Sequence, residues 1–182
     1  VHHLYKIVND RPRVRPQWFF DTAVQGEGMV DVTTHLVDLA QWMTEGGQPF
    51  DYDRDVVLEA AQQWPTGVPL DIFSRITGLA EFPAALREQV AGKTLQYLCN
   101  AGIGYRLRGI PVKIESLWNL AIPAGGGDTH YAILRGTRAD LIVDQGPDTK
   151  FVTRLTVRPH AGERRFGDTL AAATATLQGA FP

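Results

Sequence analysis

The sequence predicts an α+β fold: a mainly antiparallel β-sheet with helices packed on one face and no Rossmann domain. Three observations predict it. Helical patterning fills the first half of the chain and returns only at its end. From Thr94 onward the chain breaks into short β-rich runs split by turn residues. Around Gly26-x-Gly28 the chain lacks the strand–helix–strand alternation of a parallel sheet.

Taken in order, Leu4 to Val8 reads as a first strand, ended by the turn residues Asn9-Asp10-Arg11-Pro12. Trp18 to Val24 mixes aromatic and β-branched residues and suggests a strand or extended segment. A helix follows from about Val32 to Met43 and stops at Gly46-Gly47. Val56 to Trp64 fits strand or helix, and the abrupt stop at Pro65-Thr66-Gly67 favours strand. Leu70 to Thr77, closed by Gly78, and Pro83 to Ala91, closed by Gly92, read as short helices. The β-rich runs are then Thr94–Asn100, Tyr105–Arg108, Val112–Ile122, Thr129–Leu134, Ala139–Val143 and Phe151–Val157. Their separators are Gly102/Gly104, Gly109, Gly125-Gly126-Gly127, Gly136 and Gly146-Pro147. Alternation along Val112–Ile122 puts Ile114, Ser116, Trp118 and Leu120 on one face, with Lys113, Glu115, Leu117 and Asn119 on the other. Phe166, Leu170, Ala173, Leu177 and Phe181 recur at helical steps to the end.

The stretch from Gly26 to Leu39 carries the most chemistry. Helical spacing sets Asp31, His35, Asp38 and Trp42 in one stripe and Val32, Leu36, Leu39 and Met43 in another. The second stripe would face the core, leaving Asp31 and His35 as a polar pair facing sideways. A histidine oriented by an acid is suited to moving a proton near neutral pH. Equally, Asp31 would serve as the N-cap of the helix, accepting the N–H of Thr33 or Thr34, with His35 an ordinary surface residue.

With 182 residues, 44% hydrophobic and 21% charged, the chain is sized for one domain, residues 1–182, with a substantial core. A formal net charge of −2 gives no footprint for nucleic acid or an anionic membrane. No apolar run approaches a transmembrane span, and no signal-peptide pattern is present, so a cytoplasmic location is expected. The start at Val1 and the apolar stripe running to the last residues lead us to expect a fragment of a longer protein, continued on both sides. Cys99 is the single cysteine, and its apolar neighbours from Leu95 to Leu98 make it a buried structural thiol.

Gly26-x-Gly28 before a helix invites a dinucleotide-binding reading, but the third glycine position is Asp31, whose carboxylate would oppose a pyrophosphate. Gly102-x-Gly104 is followed by a strand, and Gly125-Gly126-Gly127 lacks the Lys and Ser/Thr of a P-loop. No cofactor is expected on this chain by itself. His2, His3, Asp31, His35, Asp38, His130 and His160 include no His-Glu-x-x-His and no cysteine pair, so no metal site is expected either.

The run Gly26-x-Gly28-x-x-Asp31-x-x-x-His35-x-x-Asp38 resembles the C-terminal domain of the glucose–fructose oxidoreductase/inositol dehydrogenase (Gfo/Idh/MocA) family. Gly127-Asp128-Thr129-His130 and Arg135-Gly136-Thr137-Arg138-Ala139 resemble that domain's long hairpin. Val1-His2-His3-Leu4-Tyr5-Lys6, Arg15-Pro16-Gln17-Trp18-Phe19-Phe20-Asp21 and Cys99-Asn100 are similar to its putative-oxidoreductase C-terminal subgroup. The resemblance implies an N-terminal Rossmann domain, outside this chain, that binds NAD or NADP. This chain would then be the substrate-binding and oligomerisation domain, acting on a small sugar- or polyol-like molecule. It further implies His35 as acid/base on the substrate hydroxyl, Asp31 as its orienting partner, and His3, Lys6, Trp18, Asp38 and His130 as substrate-binding residues. Phe19 stands where many relatives carry Arg. The open sheet face would pair with another copy to make a homo-oligomer. The alternatives are a binding or oligomerisation module with a structural Asp–His pair, or an NAD-dependent glycosidase on the same fold.

Overall fold

A computed structural model describes the chain except residues 9, 46–48, 123–124, 163–164 and 181–182. The expected stop at Gly46-Gly47, the turn residue Asn9 and the last stripe residue Phe181 lie outside the described residues. Two compact units are present, Val1–Gly125 and Gly126–Pro182.

The first unit runs β1 (His2–Tyr5), β2 (Ile7–Val8), β3 (Arg11–Pro12), a 3-10 turn (Gln17–Phe20), α1 (Thr22–Gln25), α2 (Thr33–Glu45), α3 (Tyr52–Asp55) and β4 (Val56–Pro69). It continues through α4 (Leu70–Thr77), a 3-10 helix (Ala84–Gln89), β5 (Val90–Ala91), β6 (Thr94–Leu107), β7 (Ile110–Ser116) and β8 (Trp118–Ala121). β6 is the spine. It pairs antiparallel with β4 along its whole length, with β5 near its start and with β7 over Ala101 to Leu107. β8 instead pairs in parallel with β1, residues separated by most of the unit. The class is α+β with mainly antiparallel pairing, as the sequence predicts.

Four local expectations give way to tertiary context. Gly102 and Gly104 do not break β6, because Gly102 is flanked by Gln62 and Glu115, and Gly104 by Ala60 and Lys113. Two full ladders outweigh glycine's weak strand preference. Pro65 does not end β4 either; the register slips between Trp64 and Thr66, and a bulge absorbs the missing N–H. Trp18 to Val24 is helical rather than extended, since Asp21 caps α1 by accepting the Ala23 N–H at 3.0 Å. The Pro83–Ala91 stretch becomes a 3-10 helix followed by the short strand β5.

Other expectations hold. Gly78 ends α4 in the left-handed region at φ 78°, donating its N–H to the Ser74 carbonyl. Arg108 and Gly109 both take positive φ between paired Leu107 and Ile110, as a two-residue type I′ hairpin turn requires. Along β7 and β8, Ile114, Ser116 and Trp118 are buried while Lys113, Glu115 and Asn119 are exposed.

Two apolar clusters make the interior of this unit. Phe20 anchors the larger one, with ring centroids 5.4 Å from Phe19, 5.1 Å from Phe73 and 5.2 Å from Tyr97. The smaller lies where α2 crosses β6 and β7 and is built from Ala40, Tyr105, Leu107 and Ile114. There α2 buries Thr33 and Ala40 and packs Leu36 and Val37, whereas Leu39 and Met43 are exposed. The core stripe is thus rotated from the one expected, with the Thr33 hydroxyl turned inward to the Gly28 carbonyl and Val37 and Ala40 packed where Leu39 and Met43 were expected.

The second unit is an antiparallel sheet of β9 (His130–Arg135), β10 (Ala139–Gln145) and β11 (Arg154–Pro159), with β10 central, followed by α5 (Phe166–Ala180). A 3-10 turn, Pro147–Thr149, joins β10 to β11.

Candidate functional site

The turn that leads into α2 is seated on β6. The ladder from β6 to β5 ends at Leu95 and that to β7 begins at Ala101. In the gap, the Gly28 N–H donates to the Leu98 carbonyl at 3.2 Å. A Cβ on Gly28 would lie 2.2 Å from the Cys99 carbonyl oxygen, so only glycine allows this approach. The Gly28 carbonyl in turn accepts the hydroxyl of fully buried Thr33 at 2.8 Å. Gly28 therefore serves strand-to-turn packing, not a phosphate.

Beyond that anchor, Asp31 is half-buried in the turn and His35 is exposed on the first turn of α2. The Thr34 hydroxyl caps the Asp31 carbonyl at 3.0 Å, so here the backbone of Asp31, not its carboxylate, meets the helix start. No hydrogen bond joins the Asp31 and His35 side chains among the described residues. Asp38 is exposed one turn further along.

Tyr97 links this turn to the rest of the site. Its hydroxyl donates to the Phe19 carbonyl at 2.9 Å. Burial pushes that hydroxyl well above its ordinary pKa, and the charges of Cys99 and Asp31 add to the effect while Arg15 opposes it. Asp31 and Arg15 are thereby within electrostatic reach of one buried phenol. Arg15 is itself buried, its guanidinium carbon 4.1 Å from the Phe19 ring centroid and 5.4 Å from that of Trp118. Its Nε donates to the Leu4 carbonyl at 3.4 Å.

β1 brings His3, which is buried, and leads to Lys6, which is half-buried. The His2 ring lies 4.8 Å from the Trp118 indole, whose Nε1 is buried with no hydrogen-bond partner among the described residues. Trp18 is half-exposed on the 3-10 turn beside Phe19. Cys99 is buried, and burial raises its thiol to about 11, which makes it a packing residue and no nucleophile at neutral pH. Among the described residues no group of three His, Cys, Asp or Glu could hold a metal ion.

His130 belongs to the second unit, half-buried at the start of β9 opposite Gln145, and burial lowers its imidazole pKa. The structure thus gathers Arg15 and Tyr97 around Phe19, with His2 against Trp118 on β8 and Asp31 in the turn before α2. Sequence reasoning assigned no role to Arg15, Tyr97 or Thr66; an arginine preceding Pro-x-Trp-Phe-Phe was the available signal for the first.

The family described as "Putative oxidoreductase C terminal domain" matches residues 1–182. The chain belongs to this family. A crystal structure of a putative oxidoreductase from Parabacteroides merdae superposes on this oxidoreductase C-terminal domain with a TM-score of 0.96 and 38% sequence identity. That match covers 100% of this chain and 42% of the other, so the domain spans less than half the length of the bacterial protein. No curated protein matches the chain. No helix of the domain is long and apolar enough to cross a membrane, among the described residues.

Proposed function

We propose that this domain is the substrate-binding and catalytic-residue-bearing part of an NAD- or NADP-dependent oxidoreductase that acts on a sugar- or polyol-like molecule. The observation that carries the reading is the exposed imidazole of His35 on the first turn of an α2 whose approach is tied to β6 through Gly28 and Thr33. A rigid mount for a proton acceptor is what oriented acid–base catalysis needs. In the proposed reaction the substrate carbon loses hydride to a nicotinamide held by a domain outside this chain. The hydroxyl on that carbon passes its proton to His35. Asp31 stabilises the resulting imidazolium, and side chains from Lys6, Trp18 and Asp38 hold the substrate, with His3 supporting from β1. His130 is proposed as a further substrate-binding residue. Gly28, the second glycine of the Gly26-x-Gly28 turn, is committed to packing on β6, which supports assigning the cofactor phosphates to the other domain. A small-molecule substrate, a Rossmann domain of the same protein and a second copy bound through the open sheet face are the proposed partners. The copy–copy interface should bury at least about 1,200 Å² in total.

The test uses the full-length protein with NAD or NADP and a panel of sugars and polyols. His35→Ala should lower kcat by ~10²–10⁴-fold, the usual contribution of a positioned acid–base group, with little change in stability. Turnover at the parent rate, or unfolding as the main effect, sinks the proposal. A second reading is a binding or oligomerisation module in which His35 moves no proton; it is favoured by one observation, that the Asp31 and His35 side chains share no hydrogen bond. That reading expects no turnover on any member of the panel.

A further inference from the structure

Asn100 is buried inside β6, where an amide needs every polar atom satisfied. It is satisfied by partners on two strands, β4 and β8. Nδ2 donates to the Trp64 carbonyl at 3.1 Å and to Thr66 Oγ1 at 2.9 Å, across the bulge that Pro65 forces on the ladder. Oδ1 accepts the Trp118 N–H at 2.7 Å. Thr66 closes the ring by donating its hydroxyl to the Trp118 carbonyl at 2.6 Å. The backbone of Trp118 is held on both sides, its N–H by Asn100 and its carbonyl by Thr66.

Trp118 opens β8, the parallel partner of β1. His2 pairs with Trp118 and His3 with Asn119, and the His2 N–H donates to the Leu117 carbonyl at 2.6 Å. Two four-residue strands paired in parallel are weak by themselves, so what fixes β8 fixes β1. The same peptide of β6 seats the α2 turn, since a Cβ on Gly28 would stand 3.0 Å from the Asn100 backbone N. β1 and the start of α2 share one anchor.

We propose that Asn100, acting with Thr66, is the positioning residue of the candidate site: it sets His2 and His3 on β1 against the peptide that carries the Asp31–His35 turn. Calling those residues a reaction site rests on the function proposed above; the positioning itself does not. Leucine at this position would leave the Trp118 N–H without its acceptor and the Thr66 oxygen without its donor, and aspartate would turn a donor toward the Trp64 carbonyl into an acceptor.

The experiment follows the imidazole nitrogen resonances of the histidines by NMR in the protein that carries this chain. Asn100→Ala and Thr66→Val should move the His2 and His3 signals by more than a linewidth, and His35 by less. Thr66→Ser, which keeps the hydroxyl, should return them to the parent positions. Ile114→Ala, in the separate cluster under α2, should lower stability and leave His2 and His3 in place. Should Asn100→Ala not fold, Thr66→Val, which removes one hydroxyl, carries the test. Folded variants whose His2 and His3 signals overlay the parent overturn the positioning role, whatever His35→Ala does to turnover. Conversely, parent-rate turnover in His35→Ala overturns the catalytic reading and leaves the positioning role standing.

Discussion

The first unit is built on a four-stranded antiparallel sheet and the second on a three-stranded one, yet the two are held together by opposite means. In the first, Phe20, Phe73, Leu4, Ile76, Leu95 and Leu107 are shielded from solvent almost completely, and the sheet rests on an aromatic cluster. In the second, the buried residues among those described are Asp140 and Gly146. Its strands are laced instead by Asp140 to Arg158 at 2.7 Å and His160 at 3.1 Å, and by Asp144 to Arg154 at 3.2 Å. α5 exposes its apolar stripe, with Leu177 61% accessible. Hydrophobic burial is insensitive to salt and modest pH change, whereas exposed ion pairs are sensitive to both. The comparison therefore teaches that one chain can carry two stability regimes.

Phe20→Ala should give the largest effect, lowering the unfolding free energy of the first unit by about 3–5 kcal/mol in urea titration. A loss well under that range would break the assignment of this unit to its aromatic cluster. Gly28→Ala should come next, costing about 1–3 kcal/mol because a methyl must displace the Cys99 carbonyl. Hydrogen exchange should show protection lost at the start of α2 while the β4–β6 ladder keeps its own.

Asp55 sharpens the contrast, since it brings an ion-pair network into the first unit. Hydrogen bonds from Arg54, then Arg108, then the Asp51 N–H hold its carboxyl well below the usual carboxylate range. A depressed carboxylate stabilises fully above its unfolded value of about 3.9 and loses that contribution as pH falls through its folded value. Asp55→Asn should therefore flatten the acid limb of a stability-versus-pH curve and change the neutral region less than Phe20→Ala does. An unchanged acid limb would remove Asp55 from the account.

The smallest effect is expected at Asp140, whose carboxyl is lowered first by the Arg158 hydrogen bond and then by that of His160. Its contribution has the same sign, present above the ordinary carboxylate range and lost in acid. Asp140→Asn should lower the thermal midpoint of the second unit less than either core substitution lowers the first. It should also make that midpoint less responsive to added sodium chloride. An equal salt response in the parent and the variant would erase the distinction between the units.

How much of this was legible in the sequence differs from element to element. The helices closed by Gly78 and by the pattern of α2, the Arg108-Gly109 hairpin and the inward face of β7 and β8 follow from local chemistry, and local chemistry suffices there. Gly102, Gly104 and Pro65 misled because each is a breaker only when its neighbours permit; β6, flanked on both sides, does not permit it. Phe19 and Phe20 look like strand residues, but their rings are wanted in a cluster that a tight turn reaches and a strand does not. In the site, the Asp31–His35 spacing is visible in the sequence, while its mounting is not. The role of Gly28 depends on Cys99, and that of Asn100 on Thr66 and Trp118, contacts no periodicity encodes.

The parallel pairing of β1 with β8 has a consequence for synthesis. His2 and Tyr5 leave the ribosome before their partners Trp118 and Ala121, which come more than a hundred residues later. Until then the opening residues of this chain have no strand to join, although the β4–β6 ladder can already close behind them. A nascent chain halted before Trp118 would hold a nearly finished sheet and a loose leading edge. Translation speed through residues 107–121 thus governs how long that edge stays open to other partners.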